Sequence, residues 1–199
     1  MASGYIDVEK RSLFVSIASI AFNPLFWNVV ARQEYHDKIL TRLFGGQSRR
    51  ACYALAGTIF SLGVVRDLLY KQAISEQPSH TALEAVWVQA AAWTLIACGN
   101  TLVLSSTWAL GITGTFLGDY FGILMDQMVT GFPFNVCSAP MYVGSTMSFL
   151  GTALLLAKPA GLFLTAWVWL VYWIALRYED AFTADIYAKR ERERAGKLK

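Results

Sequence analysis

Asp119 stands in a run that is otherwise uncharged from Ala85 to Gly118, in a chain of 199 residues. A carboxylate at membrane depth is costly to hold there and usually marks a functional site or an ion partner. It sits in Gly111-Ile-Thr-Gly114-Thr-Phe-Leu-Gly118-Asp119-Tyr120-Phe121-Gly122, followed after a short gap by Gly131-Phe-Pro-Phe134-Asn135. Gly114, Gly118 and Gly122 recur every fourth residue, a small-xxx-small series that lets a helix approach another backbone, within the chain or in a second copy. Two more groups flank the last apolar stretches. Pro140-Met141-Tyr142-Val143-Gly144 opens one, and Arg177-Tyr178-Glu179-Asp180 closes the other. Each has an ordinary reading: proline in a first helical turn, a tyrosine at a membrane interface, a charged helix end. If the two stretches form a hairpin, however, Tyr142 and Glu179 meet at one end of it, and that convergence is the stronger clue.

The elements that must position these residues follow from composition. The chain is 55% hydrophobic and 16% charged, against about 25% charged in soluble domains, and so short a chain has little interior in which to hide that much apolar surface. A net charge of +3 is too weak to argue for a nucleic-acid partner. Three scattered cysteines and two isolated histidines imply neither a disulfide framework nor a metal site. There is no G-x-G-x-x-G. Five apolar stretches remain, at 13–31, 51–70, 85–110, 140–157 and 160–177. The first contains Asn23-Pro24 and either crosses the bilayer or re-enters it. The last two are parted by Lys158-Pro159, a turn signal. The expected fold is all-α: a polytopic integral membrane bundle of four to five hydrophobic helices with a C-terminal helical hairpin. It forms one domain over 1–199, with a retained N-terminal segment 1–12 and a charged tail 178–199. Lys and Arg cluster in 32–50 and in the tail, which places both in the cytosol, and the linker 111–139 with them.

These strings resemble the phospholipid N-methyltransferases, in particular the fungal enzymes of the later methylations. The resemblance is carried by Phe22–Arg32, Ala56–Asp67, Leu102–Ser106, Gly111–Asp126, Thr130–Asn135 and Phe182-Thr-Ala184, and covers nearly the whole chain. It implies N-methylation, dependent on S-adenosylmethionine, of the ethanolamine headgroup of phosphatidylethanolamine and its mono- and dimethylated forms, to phosphatidylcholine. S-adenosylhomocysteine is the co-product and no metal takes part. It further implies a protein of the endoplasmic reticulum membrane with a cytosolic active site. The family's Gly-x-Gly falls at Ala97-Cys98-Gly99, its paired glutamates at Glu179-Asp180, and its Asn-Pro-Met-Tyr at Ala139-Pro140-Met141-Tyr142. The cofactor residues so implied are Ala97, Cys98, Gly99, Pro140, Tyr142, Glu179 and Asp180, the carboxylates accepting hydrogen bonds from amino or ribose hydroxyl groups.

For that reaction Asp119 and Tyr142 are the catalytic candidates, with Asp119, Glu179 or water to take the proton. Tyr120, Phe121 and Phe134 are substrate candidates, because aromatic faces attract methylated ammonium groups, and Asn135 beside them is counted with the substrate candidates. Two rivals stand beside this reading. An isoprenylcysteine carboxyl methyltransferase would share the cofactor site, but Ser138-Ala139-Pro140 replaces the arginine-histidine-proline signature of that group. A non-enzymatic transporter or scaffold would use Asp119 as an ion or packing partner. Oligomeric state is left open.

Overall fold

The computed structural model describes residues 4–127 and 129–197. Among these residues six α-helices follow in order: α1 (Arg11–Asp37), α2 (Ile39–Leu43), α3 (Ser48–Ser75), α4 (Val86–Thr115), α5 (Pro140–Leu155) and α6 (Pro159–Lys197). Short 3-10 turns lie at Thr81–Leu83 and Gly118–Phe121, and no strand occurs among the described residues. Four of the helices are long and apolar enough to cross a membrane. The protein is an all-α polytopic membrane bundle.

α1 runs unbroken through Pro24 for 27 residues, about 40 Å of helix. Proline removes one backbone donor, and the side-chain amide of Asn28 donates to the Pro24 carbonyl one turn away (3.1 Å). The helix extends from one end of the bundle to the other. Near its start the Ser12 hydroxyl reaches Glu76 (2.6 Å) and the Asp7 amide reaches Gln77 (2.7 Å). Near its finish Arg32 donates to the carbonyl of Tyr178 (2.9 Å). Its C-terminus is tied by Glu34, fully buried, which accepts from the amides of Leu40 (2.7 Å) and Thr41 (3.2 Å) and from the Thr41 hydroxyl. These are amides of α2's first turn, which have no acceptor inside the helix.

α4 is apolar on every face. Trp87, Trp93, Leu104 and Trp108 point away from the protein, as expected of a helix bathed in lipid. It is held chiefly by one seam against α5, along Ala92, Gly99 and Ser106 on one side and Gly144 and Gly151 on the other. A Cβ on Gly99 would lie 2.5 Å from the Gly144 carbonyl oxygen, and one on Gly144 would lie 2.5 Å from that of Gly99. The backbones touch, and only glycine fits.

Two regions differ from the sequence expectation. The glycines at 114, 118 and 122 do not form a helix face. Gly111 takes φ 65 and ψ 179 and breaks α4, Gly118 opens the 3-10 turn, and Gly122 ends it at φ 77. α4 ends at Thr115, just past Gly114, and glycine's freedom at positive φ is used at Gly111 and Gly122, so the spacing of four has no helical meaning. The charged segment after 177 continues α6 as helix for 39 residues in all. Its Phe182 and Ile186 lie one turn apart and pack onto Ala31, Cys52, Leu55, Leu117 and Tyr120, which supplies the apolar stripe that keeps such a segment helical. The second, larger core joins Leu13, Ile20, Tyr70, Ile74, Phe149, Leu164 and Val168 towards the opposite end.

Candidate active site at the wall between two cavities

The turn signal at Lys158-Pro159 reverses the chain, so α5 begins where α6 is about 30 Å along its own length. There the Tyr142 hydroxyl donates to Glu179 Oε2 at 2.5 Å. The two residues that the hairpin was expected to bring together are in contact.

This pair stands between two cavities. The smaller, of about 300 Å³, is lined by Asp119, Glu179 and Asp180, by Gly114, Thr115 and Phe134, and by Pro140 and Tyr142. Among the described residues no Lys, Arg or His lines it, so three carboxylates face one space without a cationic partner in its wall. Asp119 is fixed by the Thr183 hydroxyl, which donates to Oδ2 at 3.0 Å. Leu117, in the left-handed region at φ 59, turns the chain so that Asp119 faces α6. The linker closes over this cavity because the Met125 amide donates to the Tyr187 hydroxyl (3.3 Å) and Arg190 donates to the Met125 carbonyl (2.8 Å).

The larger cavity, of about 540 Å³, lies between α3 and α4 over a floor formed by α1, α5 and α6. α3 and α4 touch little, and both present apolar side chains outward, so this cavity opens sideways towards lipid. Trp27, Phe60, Val64, Val103 and Phe149 give it apolar walls. Thr115, Leu117, Met141, Tyr142 and Glu179 line both cavities and form the common wall. The Thr115 hydroxyl is buried there without a hydrogen-bond partner.

Not every expected site residue reaches these spaces. Asp119, Phe134, Pro140, Tyr142, Glu179 and Asp180 do. Ala97, Cys98 and Gly99 line neither cavity. Consecutive helix residues are about 100° apart, so with Gly99 turned into the α5 seam Ala97 and Cys98 face outward, exposed. Tyr120 and Phe121 are core: Tyr120 is fully buried, stacked on Phe182 with ring centroids 5.0 Å apart, and Phe121 packs in the same cluster. Asn135 is exposed and lies outside both cavities. Sequence reasoning missed Trp27, Ser145 and Tyr172, ordinary residues in apolar runs, and gave no role to Asn23 and Arg66. A polar side chain inside an apolar run was the available signal for those two.

The family is independently legible. A sequence profile described as phospholipid methyltransferase matches residues 87–190. The chain is 67% identical over 191 residues to a phosphatidyl-N-methylethanolamine N-methyltransferase of Neurospora crassa, covering 96% of this chain and 89% of that protein. It is 54% identical over 188 residues to the protein of the same name from Saccharomyces cerevisiae, covering 94% and 90%. To the phosphatidylethanolamine N-methyltransferase of Rattus norvegicus it is 47% identical over 187 residues, covering 94% of each. No solved structure matches. With a profile spanning more than half of its length and relatives aligned almost end to end, the chain belongs to the phospholipid methyltransferase family.

Proposed function

We propose that this enzyme methylates the amine of phosphatidylethanolamine headgroups from S-adenosylmethionine, acting on the mono- and dimethylated lipids and ending at phosphatidylcholine. The observation that carries the proposal is the shared wall. An acidic cavity and a cavity open to lipid meet at Tyr142 and Glu179, so a donor on one side and an acceptor on the other touch at a single place. The acceptor preference is supported by the greater identity to the fungal relatives than to the rat protein.

The residues present suit the donor. It carries an ammonium and a sulfonium, and the smaller cavity offers three carboxylates with no competing cation, an unpartnered Thr115 hydroxyl, and Gly114 where a Cβ would press on Met125 Sδ at 3.2 Å. Its volume lies at the small end of ligand cavities, which start at about 300 Å³. Glu179 and Asp180 would hold amino or ribose hydroxyl groups. When bound, S-adenosylmethionine supplies an electrophilic methyl, and its sulfur keeps the electron pair of the broken S–C bond.

The lipid amine forms the new N–C bond with its lone pair, so it must first shed a proton. Glu179 borders both cavities and accepts that proton; Asp119 borders only the donor cavity and is already held by Thr183. Tyr142 fixes the carboxylate of Glu179 and presents its ring to the methylated nitrogen. Positive charge moves from sulfur to nitrogen without being created, so alignment in a water-poor wall is the main demand on the protein. The Lys and Arg of 32–50 and of the end of α6 share one end of the bundle, where Lys38 reaches the Tyr120 carbonyl (3.3 Å). By the positive-inside rule that end, and the donor cavity with it, faces the cytosol; the endoplasmic reticulum as the membrane is what the family resemblance implies.

The direct test offers purified protein labelled S-adenosylmethionine and phosphatidylethanolamine, its monomethyl form and its dimethyl form separately. Label in the lipid, greatest for the methylated acceptors, supports the reading. Saturable S-adenosylhomocysteine binding without transfer to any of the three would redirect it to another acceptor. Tyr142→Phe is expected to keep the fold and lower kcat on the order of 10- to 100-fold, the effect of losing one hydrogen bond to a charged group. An unchanged kcat would remove Tyr142 from the reaction.

A further inference from the structure

The α3 wall of the lipid cavity holds a cation that the methyl transfer does not use. Arg66 lies within an apolar helix and is 9% exposed. Its Nε and Nη2 both donate to a single oxygen of Asp67 (2.9 and 2.8 Å), and Nη1 donates to the Tyr172 hydroxyl. A guanidinium has five N–H donors, so donors remain free. Asp67 itself is 59% exposed at the side chain. Lys71, one turn further on, also lines the cavity, so Arg66, Asp67 and Lys71 together carry one net positive charge.

A second observation points the same way. Asn23 is 3% exposed and lines this cavity, and its Nδ2 donor has no partner. Trp167 donates to the Ile17 carbonyl and Arg32 to that of Tyr178. Each residue of α1 is therefore level with the residue of α6 roughly 146 to 150 positions later, and Asn23 stands level with Tyr172, the partner of Arg66. A charged donor and an orphaned amide donor face one space at one depth. An unpaired buried donor is costly, so the Asn23 amide calls for an acceptor that arrives from outside. The remaining N–H groups of Arg66, whose three nitrogens each donate once within the protein, stand beside it.

We infer that Arg66 and Asn23 form a recognition site for the phosphodiester of the acceptor lipid. This rests on the phospholipid N-methylation proposed above. The Tyr142 and Tyr172 rings are in edge contact, with centroids 4.9 Å apart, so the Arg66–Tyr172 pair lies one ring away from the Tyr142–Glu179 pair. The headgroup has the same layout, an anion and an amine joined by a two-carbon arm. With the amine at Glu179 and the phosphate deeper at Arg66, the acyl chains leave between α3 and α4. The charged side chains that line the neighbouring donor cavity, among the described residues, are all carboxylates, so each charge of the zwitterion meets its opposite. Because access is sideways from lipid, the anion received is one attached to acyl chains.

The test compares two acceptors with the full chain in lipid nanodiscs: phosphatidyl-N-methylethanolamine, and an analogue whose phosphodiester is replaced by an uncharged carbonate. Arg66→Gln is expected to lower kcat/KM for the phospholipid on the order of 10- to 100-fold, mainly through KM, as for a lost charge-assisted hydrogen bond. The carbonate analogue should lose about threefold or less, with S-adenosylhomocysteine affinity unchanged and Arg66→Lys recovering part of the loss. Equal losses on both acceptors would overturn the inference and make Arg66 a structural residue. Should Arg66→Gln fail to fold, Asn23→Ala carries the same asymmetric prediction. Competition by glycerophospho-N-methylethanolamine as strong as by the lipid would make this a site for soluble anions and overturn the lipid assignment. If the wild type methylates neither acceptor, the N-methylation reading itself has failed, a result separate from loss of discrimination in the variant.

Discussion

Glu179→Ala is expected to weaken S-adenosylhomocysteine binding on the order of 100-fold and to reduce methyl transfer below detection. Hydrogen bonds to a charged group contribute about 1.5–3 kcal/mol, and each 1.4 kcal/mol is about tenfold in affinity. Glu179 stands to lose more than one such bond, since it borders both cavities and also anchors the Tyr142 hydroxyl at 2.5 Å. Glu179→Gln separates charge from shape: it keeps a hydrogen-bond acceptor but removes the negative charge and most of the basicity. Its binding should fall about tenfold while transfer falls as far as in the alanine variant. Calorimetry with S-adenosylhomocysteine reads the first quantity and labelled-methyl transfer the second. Alanine and glutamine variants that both bind normally would dissociate Glu179 from the donor cavity. A glutamine variant with normal turnover would free it of any duty towards the proton. Asp180 lines only the donor cavity, so Asp180→Ala should weaken binding without this disproportionate loss of turnover.

The second large effect is steric and lies on the α4–α5 seam. A Cβ on Gly144 would sit 2.5 Å from the Gly99 oxygen, 2.9 Å from Leu102 Cβ and 3.1 Å from Val103 Cγ2. The nearest of these is backbone, so relief requires the helices to separate. α4 has little else to hold it. Overpacking a core commonly costs about 1–3 kcal/mol, occasionally more, and Gly144→Val should reach or exceed the upper end. The expected readout is a thermal midpoint lower by several degrees in detergent, with activity lost because α4 walls the lipid cavity. Ala97→Val is the matched control. Ala97 faces outward two residues from the seam, and the added methyls should change stability by no more than about 0.5 kcal/mol and leave S-adenosylhomocysteine affinity as it was. Loss of cofactor binding in a stable Ala97→Val protein would show that the outer face of α4 reaches the donor after all.

Composition and spacing made the bundle legible. An apolar run must bury its own backbone hydrogen bonds in lipid, so stretches at 51–70 and 85–110 had to become helices whatever surrounded them, and α3 and α4 cover both. Lys158-Pro159 could only be a turn, and a hairpin of two helices must bring its ends together, which is why the contact of Tyr142 with Glu179 was readable from the sequence. The carboxylate at 119 stood out in the sequence as a charge that an apolar run rarely carries; in the fold it lines the smaller cavity and accepts from the neutral Thr183 hydroxyl.

Direction and depth were not legible, because they depend on which neighbour each helix meets. Ala97-Cys98-Gly99 is one string, yet contact with Gly144 fixes the rotation of α4, turning Gly99 inward and Ala97 outward. Glycines spaced by four look like a helix face, but α4 ends at Thr115, just past Gly114, and Gly118 and Gly122 fall in and after a 3-10 turn. Tyr120 reads as an aromatic available to a headgroup, but Phe182, more than sixty residues later, stacks over it and seals it in the core. Arg66 and Asn23 share a cavity because two antiparallel helices are in register, a fact carried by packing between segments that no local pattern encodes. Local chemistry therefore settled which residues had to be helical and which were out of place in lipid. Long-range packing decided which of them face the same empty space, since a cavity belongs to the surfaces around it and to no single stretch of chain.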